Sequence, residues 1–155
     1  MSDGLQLKIR PIRQEDAGAV AELVAQLGYE RTPEQVRGWV RDLDSRSGQA
    51  CFVAELNGEV VAWMDVSLEH HLQSEVSGLI GGLVVKDGLR GAGIGRRLCE
   101  RAEDWSRRQG AKKIRVTSRS TREAAHRFYL RDGYRQTKIS MVFEKALQPR
   151  GPAMP

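Results

Sequence analysis

Two apolar-rich runs, residues 51–56 and 59–66, are separated by nothing but Asn57-Gly58. Both positions of that dipeptide accept the positive φ of a two-residue turn, so the stretch is committed to a pair of adjacent antiparallel strands. A third apolar run, 76–85, is broken by glycines and reads as a buried strand. Ile94, Leu98, Ala102 and Trp105 then mark an amphipathic helix ending near Gly110, and residues 113–117 alternate as a further strand. A strand-helix-strand unit of this kind joins parallel strands, so a hairpin that runs into it demands a mixed sheet.

The flanks extend the same pattern. Residues 7–10 alternate as a short first strand, placed near an edge by Pro11. Asp16 can cap a helix with Val20, Leu23, Val24 and Leu27 on one face and Gly28 at its end. Thr32-Pro33-Glu34-Gln35 unites a capping box with proline at the first helical position, ahead of Val36, Trp39, Val40 and Leu43. Ser120-Thr121-Arg122-Glu123 reads as a second capping box, opening a helix that carries Ala125 and Phe128 and stops at Gly133. Short strands near 134–136 and 139–143 complete an α/β domain with a mixed sheet.

At 155 residues, 40% hydrophobic and 29% charged, the expected organisation is one domain over 1–147 and a flexible tail over 148–155. No apolar run approaches the roughly 20 residues of a membrane span, and Met1-Ser2-Asp3-Gly4 opens no leader peptide, so a cytoplasmic protein without a membrane partner is expected. Cys51 and Cys99 are too few for a disulfide framework or a metal site, and no bound metal is expected. The net charge of +5 is concentrated between Arg90 and Arg131. No zinc-finger or RNP-like pattern accompanies it, which argues against a nucleic-acid partner.

The loop Arg90-Gly91-Ala92-Gly93-Ile94-Gly95 sits between a hydrophobic strand and a good helix. Glycines let the backbone approach an anion, and a helix start adds unpaired N–H groups and the positive end of its dipole. It is no P-loop, because Gly95 is followed by Arg96-Arg97 rather than Lys-Ser/Thr. A dinucleotide fingerprint would come early in the chain, with an acidic residue ending the next strand, where this sequence has Thr117-Ser118.

The loop satisfies Arg/Gln-x-x-Gly-x-Gly/Ala at each specified position. Ala124-Ala125-His126-Arg127-Phe128-Tyr129-Leu130-Arg131-Asp132-Gly133-Tyr134 carries Phe-Tyr followed by Gly-Tyr at the end of a helix. On these two motifs the chain resembles the GNAT superfamily of N-acetyltransferases from about Leu7 to Leu147. The resemblance implies a mostly antiparallel sheet of six to seven strands, helices on both faces, and a parallel pair splayed at Gly81-Gly82. It also implies acetyl-CoA as cosubstrate, held by Leu83, Val84 and Val85 along the pantetheine and by Arg90, Gly91, Ala92, Gly93, Ile94, Gly95 and Arg96 at the pyrophosphate. Arg122 stands where many relatives carry a cofactor-contacting asparagine.

Attack of an amine on a thioester needs a neutral amine, a polarised carbonyl and a proton for the departing sulfur. The motif makes Tyr129 the general acid, against the alternative of a core tyrosine packed on Phe128 or Tyr134. The fourth strand lacks the glutamate that many relatives use as base, leaving Asp65, Glu69, His70, His71 and Glu75 as nearby candidates, with loss of the proton through water as the alternative. Tyr29, Trp63 and Asp65 are expected to receive a cationic amine acceptor, a small molecule or a peptide. The alternative function is an acyl-CoA-binding sensor without turnover. Relatives often pair through their C-terminal strands, which makes a homodimer possible.

Overall fold

The structure, a computed structural model, describes residues 6–151. The N-terminal Met1-Ser2-Asp3-Gly4 and the end of the expected tail, residues 152–155, lie outside the described residues. By its internal contacts the chain divides into two compact units, Met1–Thr117 and Ser118–Pro155.

The first unit holds β1 (Leu7–Pro11), α1 (Ala17–Gln26), α2 (Pro33–Leu43), β2 (Gln49–Leu56), β3 (Glu59–Glu69), β4 (Ser77–Val85), α3 (Ile94–Arg108) and β5 (Lys113–Val116). The five strands form one sheet in sequence order. β1 to β4 pair antiparallel, and β4 pairs parallel with β5 across the α3 crossover. The hairpin turn is the one its dipeptide calls for, with φ of 52° at Asn57 and 86° at Gly58.

Period-two alternation sends each strand's side chains to two buried faces. Phe52, Ala54, Ala62, Met64, Val66 and Ile80 share one face, each buried to 5% exposure or less. α3 covers that face, and the Arg101 guanidinium lies 4.9 Å from the Phe52 ring. Cys51 and Val53 occupy the other face, in a cluster with Ala17, Val20 and Ala21 of α1 and Val36 and Val40 of α2. Trp63 packs partly buried against that cluster. Helices therefore cover both faces, as the resemblance implies.

α2 begins as its sequence dictates: Gln35 N–H donates to Thr32 Oγ1 at 3.1 Å and Thr32 N–H to Gln35 Oε1 at 3.0 Å. α1 departs from expectation. Asp16 stands at its start but makes no cap bond, because its carboxylate is taken by the Arg10 guanidinium, at 2.8 Å through both oxygens, and by Arg13 N–H.

The second unit contains α4 (Glu123–Arg131). Its N-cap is Arg122, so the expected Ser120–Glu123 capping box does not form. The His126 ring lies 2.8 Å from the Arg119 carbonyl and organises the turn before the helix instead. The strands expected near 134–136 and 139–143 are also absent, which reduces six or seven strands to five among the described residues. An apolar-rich run becomes a strand only when a neighbouring backbone completes its ladder. Residues 134–151 have none, and Ile139, Met141, Val142 and Phe143 stand 79–86% exposed.

Candidate active site

β4 is where the sheet opens. Its pairing with β5 ends at Ile80↔Val116, although β4 runs on to Val85. On its other side the β3 register slips between Asp65↔Gly82 and Val66↔Ile80, leaving Gly81 as the extra residue of a bulge. The expected splay at Gly81-Gly82 is thus present in the strand pairing.

The direction of the freed groups follows from one hydrogen bond. Lys86 N–H donates to Val61 O at 2.8 Å, so in the trans peptide before it the Val85 carbonyl points off β3, toward the open edge. Backbone groups alternate along an antiparallel strand, so Leu83, two residues earlier, faces the same edge. Val84 lies between them with its side chain in the core at 3% exposure.

Gln26, at the C-terminal end of α1, closes that edge. Its Nε2 donates to Val85 O at 2.7 Å, and its Oε1 accepts from Asp87 N–H at 3.0 Å. One amide fixes both the last carbonyl of β4 and the first turn of the loop. Sequence reading passed over this residue, since its helical periodicity carries no sign of partners about 60 positions away.

The loop delivers the anion site. Gly91 and Gly93 adopt φ of 88° and 82°, and a Cβ at either would meet nothing within 4 Å. The first bond of α3 is Arg97 N–H to Gly93 O, which leaves the N–H groups of Ile94 and Gly95 directed out of the helix end. A concavity of about 470 Å³ lies beside the loop, lined by Ala92, Gly93, Arg96 and Arg97 together with Leu7, Leu56 and Glu100. Arg90 pairs with Asp87 at 3.2 Å and Arg96 with Glu100 at 3.4 Å, both exposed. An open glycine cradle over outward-pointing amides fits a diphosphate.

Asp65 and Trp63 meet at the bulge. A Cβ at Gly81 would lie 2.9 Å from Asp65 Oδ1, and one at Gly82 would lie 2.7 Å from Trp63 Cη2. Close approach of β3 side chains therefore demands the glycine pair; helix packing acts at Gly78, against Ser106 and Ile114. Burial raises the Asp65 carboxyl above the ordinary carboxylate range, and bonds from the N–H groups of Gly82 and of Asp65 itself only partly offset it. Glu69 goes the other way. Burial opposes its ionisation, but His71 at 3.3 Å and Arg115 at 2.8 Å outweigh this and hold it below its ordinary value. His70, His71 and Glu75 are exposed. Tyr29 lies in the turn after α1, 54% exposed.

In the second unit, Tyr129 packs edge-on against Phe128 and Tyr134, with ring centroids 5.1 and 5.7 Å away. Both aromatic neighbours named from the sequence, Phe128 and Tyr134, pack on it. Arg122 lies exposed at the α4 start.

A mixed sheet whose parallel pair parts beside a bulge, followed by a glycine cradle at a helix start, defines a fold class that leaves one strand's backbone open to a ligand. The chain matches the acetyltransferase (GNAT) family over residues 16–134 and belongs to it. It is 40% identical over 92 residues to the aminoalkylphosphonate N-acetyltransferase of Salmonella typhimurium, a match spanning 59% of this chain and 58% of that protein. It is 26% identical over 145 residues to an aminoglycoside N(6')-acetyltransferase of Stenotrophomonas maltophilia, covering 91% and 94% of the two chains. Among solved structures, an aminoglycoside N-acetyltransferase in complex with CoA superposes with a TM-score of 0.84 at 16% identity, over 94% of this chain and 98% of that one. No helix among the described residues is long and apolar enough to cross a membrane.

Proposed function

We propose that the protein is an N-acetyltransferase that moves the acetyl group of acetyl-CoA to the primary amine of a small molecule, by direct attack while both substrates are bound. The carrying observation is the continuity of the unpaired β4 edge with the glycine cradle: Leu83 presents its backbone groups and Val85 its N–H, the Val85 carbonyl being held by Gln26, along a strand that leads to Gly91, Gly93 and the α3 start. In this reading Leu83, Val84 and Val85 line the pantetheine. Arg90 to Arg96 hold the diphosphate, with Arg122 as a further phosphate contact. Bound acetyl-CoA supplies the activated acyl group.

The chain's own residues orient and protonate. The bulge at Gly81 exposes backbone where a carbonyl oxygen is polarised, and Tyr129 donates the proton that the departing sulfur requires. Its edge-on contacts with Phe128 and Tyr134 restrict its orientation. Trp63, Asp65 and Tyr29 receive the acceptor. A small amine is favoured because both curated relatives above carry the names of small-amine acetyltransferases. The exposed Ile139, Met141, Val142 and Phe143 make a surface that a second copy would cover, so a cytoplasmic homodimer belongs to the same proposal and sedimentation tests its stoichiometry.

Thiol release from acetyl-CoA, measured over a panel of aminoalkylphosphonates, aminoglycosides and lysine peptides, decides the matter. Amine-dependent release with a small-molecule member supports the proposal. CoA binding without release from any member replaces it with an acyl-CoA sensor.

A further inference from the structure

We infer that Asp65 of β3 is the base that takes a proton from the acceptor's ammonium group, a role β4 leaves unfilled because residues 76–85 contain no acid. The inference rests on the acetyl-transfer reading above and adds to it the residue that makes the amine nucleophilic.

Placement is the first argument. Asp65 is paired with Gly82, at the edge of the Gly81 bulge. A Cβ at Gly81 would lie 2.9 and 3.0 Å from its two carboxylate oxygens, so the side chain lies directly over the point where β4 leaves its regular ladder. The bulge is also where the open edge of β4 begins. An amine held against this carboxylate approaches a carbonyl seated on that edge.

The second argument is the company it keeps. The β2 residue paired with it is Cys51, whose thiol is driven up by burial, then by Asp65 and Asp16, and stays neutral. β4 brings only glycines. Asp16, at the head of α1, is closed on Arg10 at 2.8 Å. The contacts that favour the Asp65 anion are two backbone N–H groups, its own and that of Gly82. A half-buried carboxylate with no cation among these neighbours is costly to the fold, and such groups persist where a ligand completes them. A cationic amine is the complement. Glu69, by contrast, already has its cations in Arg115 and His71.

The step balances without a further reactant. Asp65 accepts one proton from R–NH3+, giving R–NH2. The nitrogen lone pair then forms the C–N bond and the C–S bond breaks. The sulfur leaves as thiol with the proton of the acid assigned above, and the second amine proton restores that acid. Asp65 returns its proton to solvent when the products leave.

The test is Asp65→Asn, whose amide oxygen still accepts from Gly82 N–H, studied by steady-state kinetics from pH 5 to 9, CoA calorimetry and thermal unfolding. A carboxyl raised in the folded state destabilises that state as pH climbs past its unfolded value, so at pH 7 the variant is expected to melt at or above wild type. Its kcat/KM for the amine is expected to drop about 100-fold or more, in the range of general-base loss, with CoA affinity unchanged. The acidic limb of the wild-type pH profile, set above the ordinary carboxylate range, is expected to vanish. Near-wild-type turnover overturns the proposal. So does a raised amine KM with kcat and the acidic limb intact, which makes Asp65 an anchor only, and so does a loss accompanied by lower melting or weaker CoA binding, which makes it structural. Wild-type protein that releases no thiol with any amine refutes the acetyl-transfer reading itself and this inference with it.

Discussion

Gly82→Ala isolates the packing that shapes the proposed site. The added Cβ would lie 2.7 Å from Trp63 Cη2, 3.1 Å from Cζ3 and 3.3 Å from Asp65 Oδ1. Carbon pairs are most favourable at roughly 3.5–4.0 Å, so the indole has to retreat by about 1 Å. Its retreat is resisted, because Trp63 packs against the cluster built from α1, α2, Cys51 and Val53. Overpacking of this kind costs about 1–3 kcal/mol, which for a chain of this size lowers Tm by roughly 2–4 °C per kcal/mol. Gly110→Ala is the matched control: φ is 91° and a Cβ meets nothing within 4 Å, so its cost of about 1–2 kcal/mol is backbone strain alone. Calorimetric melting paired with thiol release per folded molecule separates them. Both variants are expected to melt lower, whereas only Gly82→Ala loses turnover, by up to about 100-fold, the loss reached if the acceptor follows the Trp63 indole by the full 1 Å. Equal turnover in the two variants would refute the packing argument.

Other outcomes follow from the same geometry. Gln26→Glu keeps the acceptor for Asp87 N–H but sets an anion against the Val85 carbonyl; a several-fold rise in the KM for acetyl-CoA with little change in Tm is expected, and unaltered KM would make the clamp irrelevant to the loop. Tyr129→Phe should lower kcat by about 10²-fold or more while calorimetry finds CoA affinity unchanged. Asp16→Asn leaves the buried Arg10 with Glu55, at 3.2 Å, as its anionic partner beside the Pro11 carbonyl, and should cost about 3–5 kcal/mol near neutral pH in denaturant melts. Burial opposes the Asp16 anion, but Arg10 and the Arg13 N–H outweigh it and lower the pKa. Its contribution to stability is therefore present above about pH 4 and lost as pH falls below, and that acid-side slope should flatten in the variant.

What the sequence revealed and what it withheld divide along the range of the interactions. The hairpin, the α2 capping box and the loop before α3 are written in dipeptides and four-residue patterns, and each appears where those patterns put it. Asp16 was misread as a cap because its true partner, Arg10, lies on a strand that packs beside it only in the folded chain. The apolar-rich run 139–143 suggests a strand without specifying a neighbour, and the described structure supplies none. Asp65 was visible as one of five acids and imidazoles near the site. The register opposite Gly82, the slip at Gly81 and the lack of the cations that pair with Glu69 distinguish it from that residue, four positions along the same strand.

The central claim is that the glycine cradle at the start of α3 captures a diphosphate. Isothermal titration of CoA into wild-type protein and into Gly93→Val tests it most directly. The account predicts one site per chain in the wild type and no measurable heat in the variant, whose melting curve confirms that it is folded. Equal CoA affinity in the two proteins would contradict it.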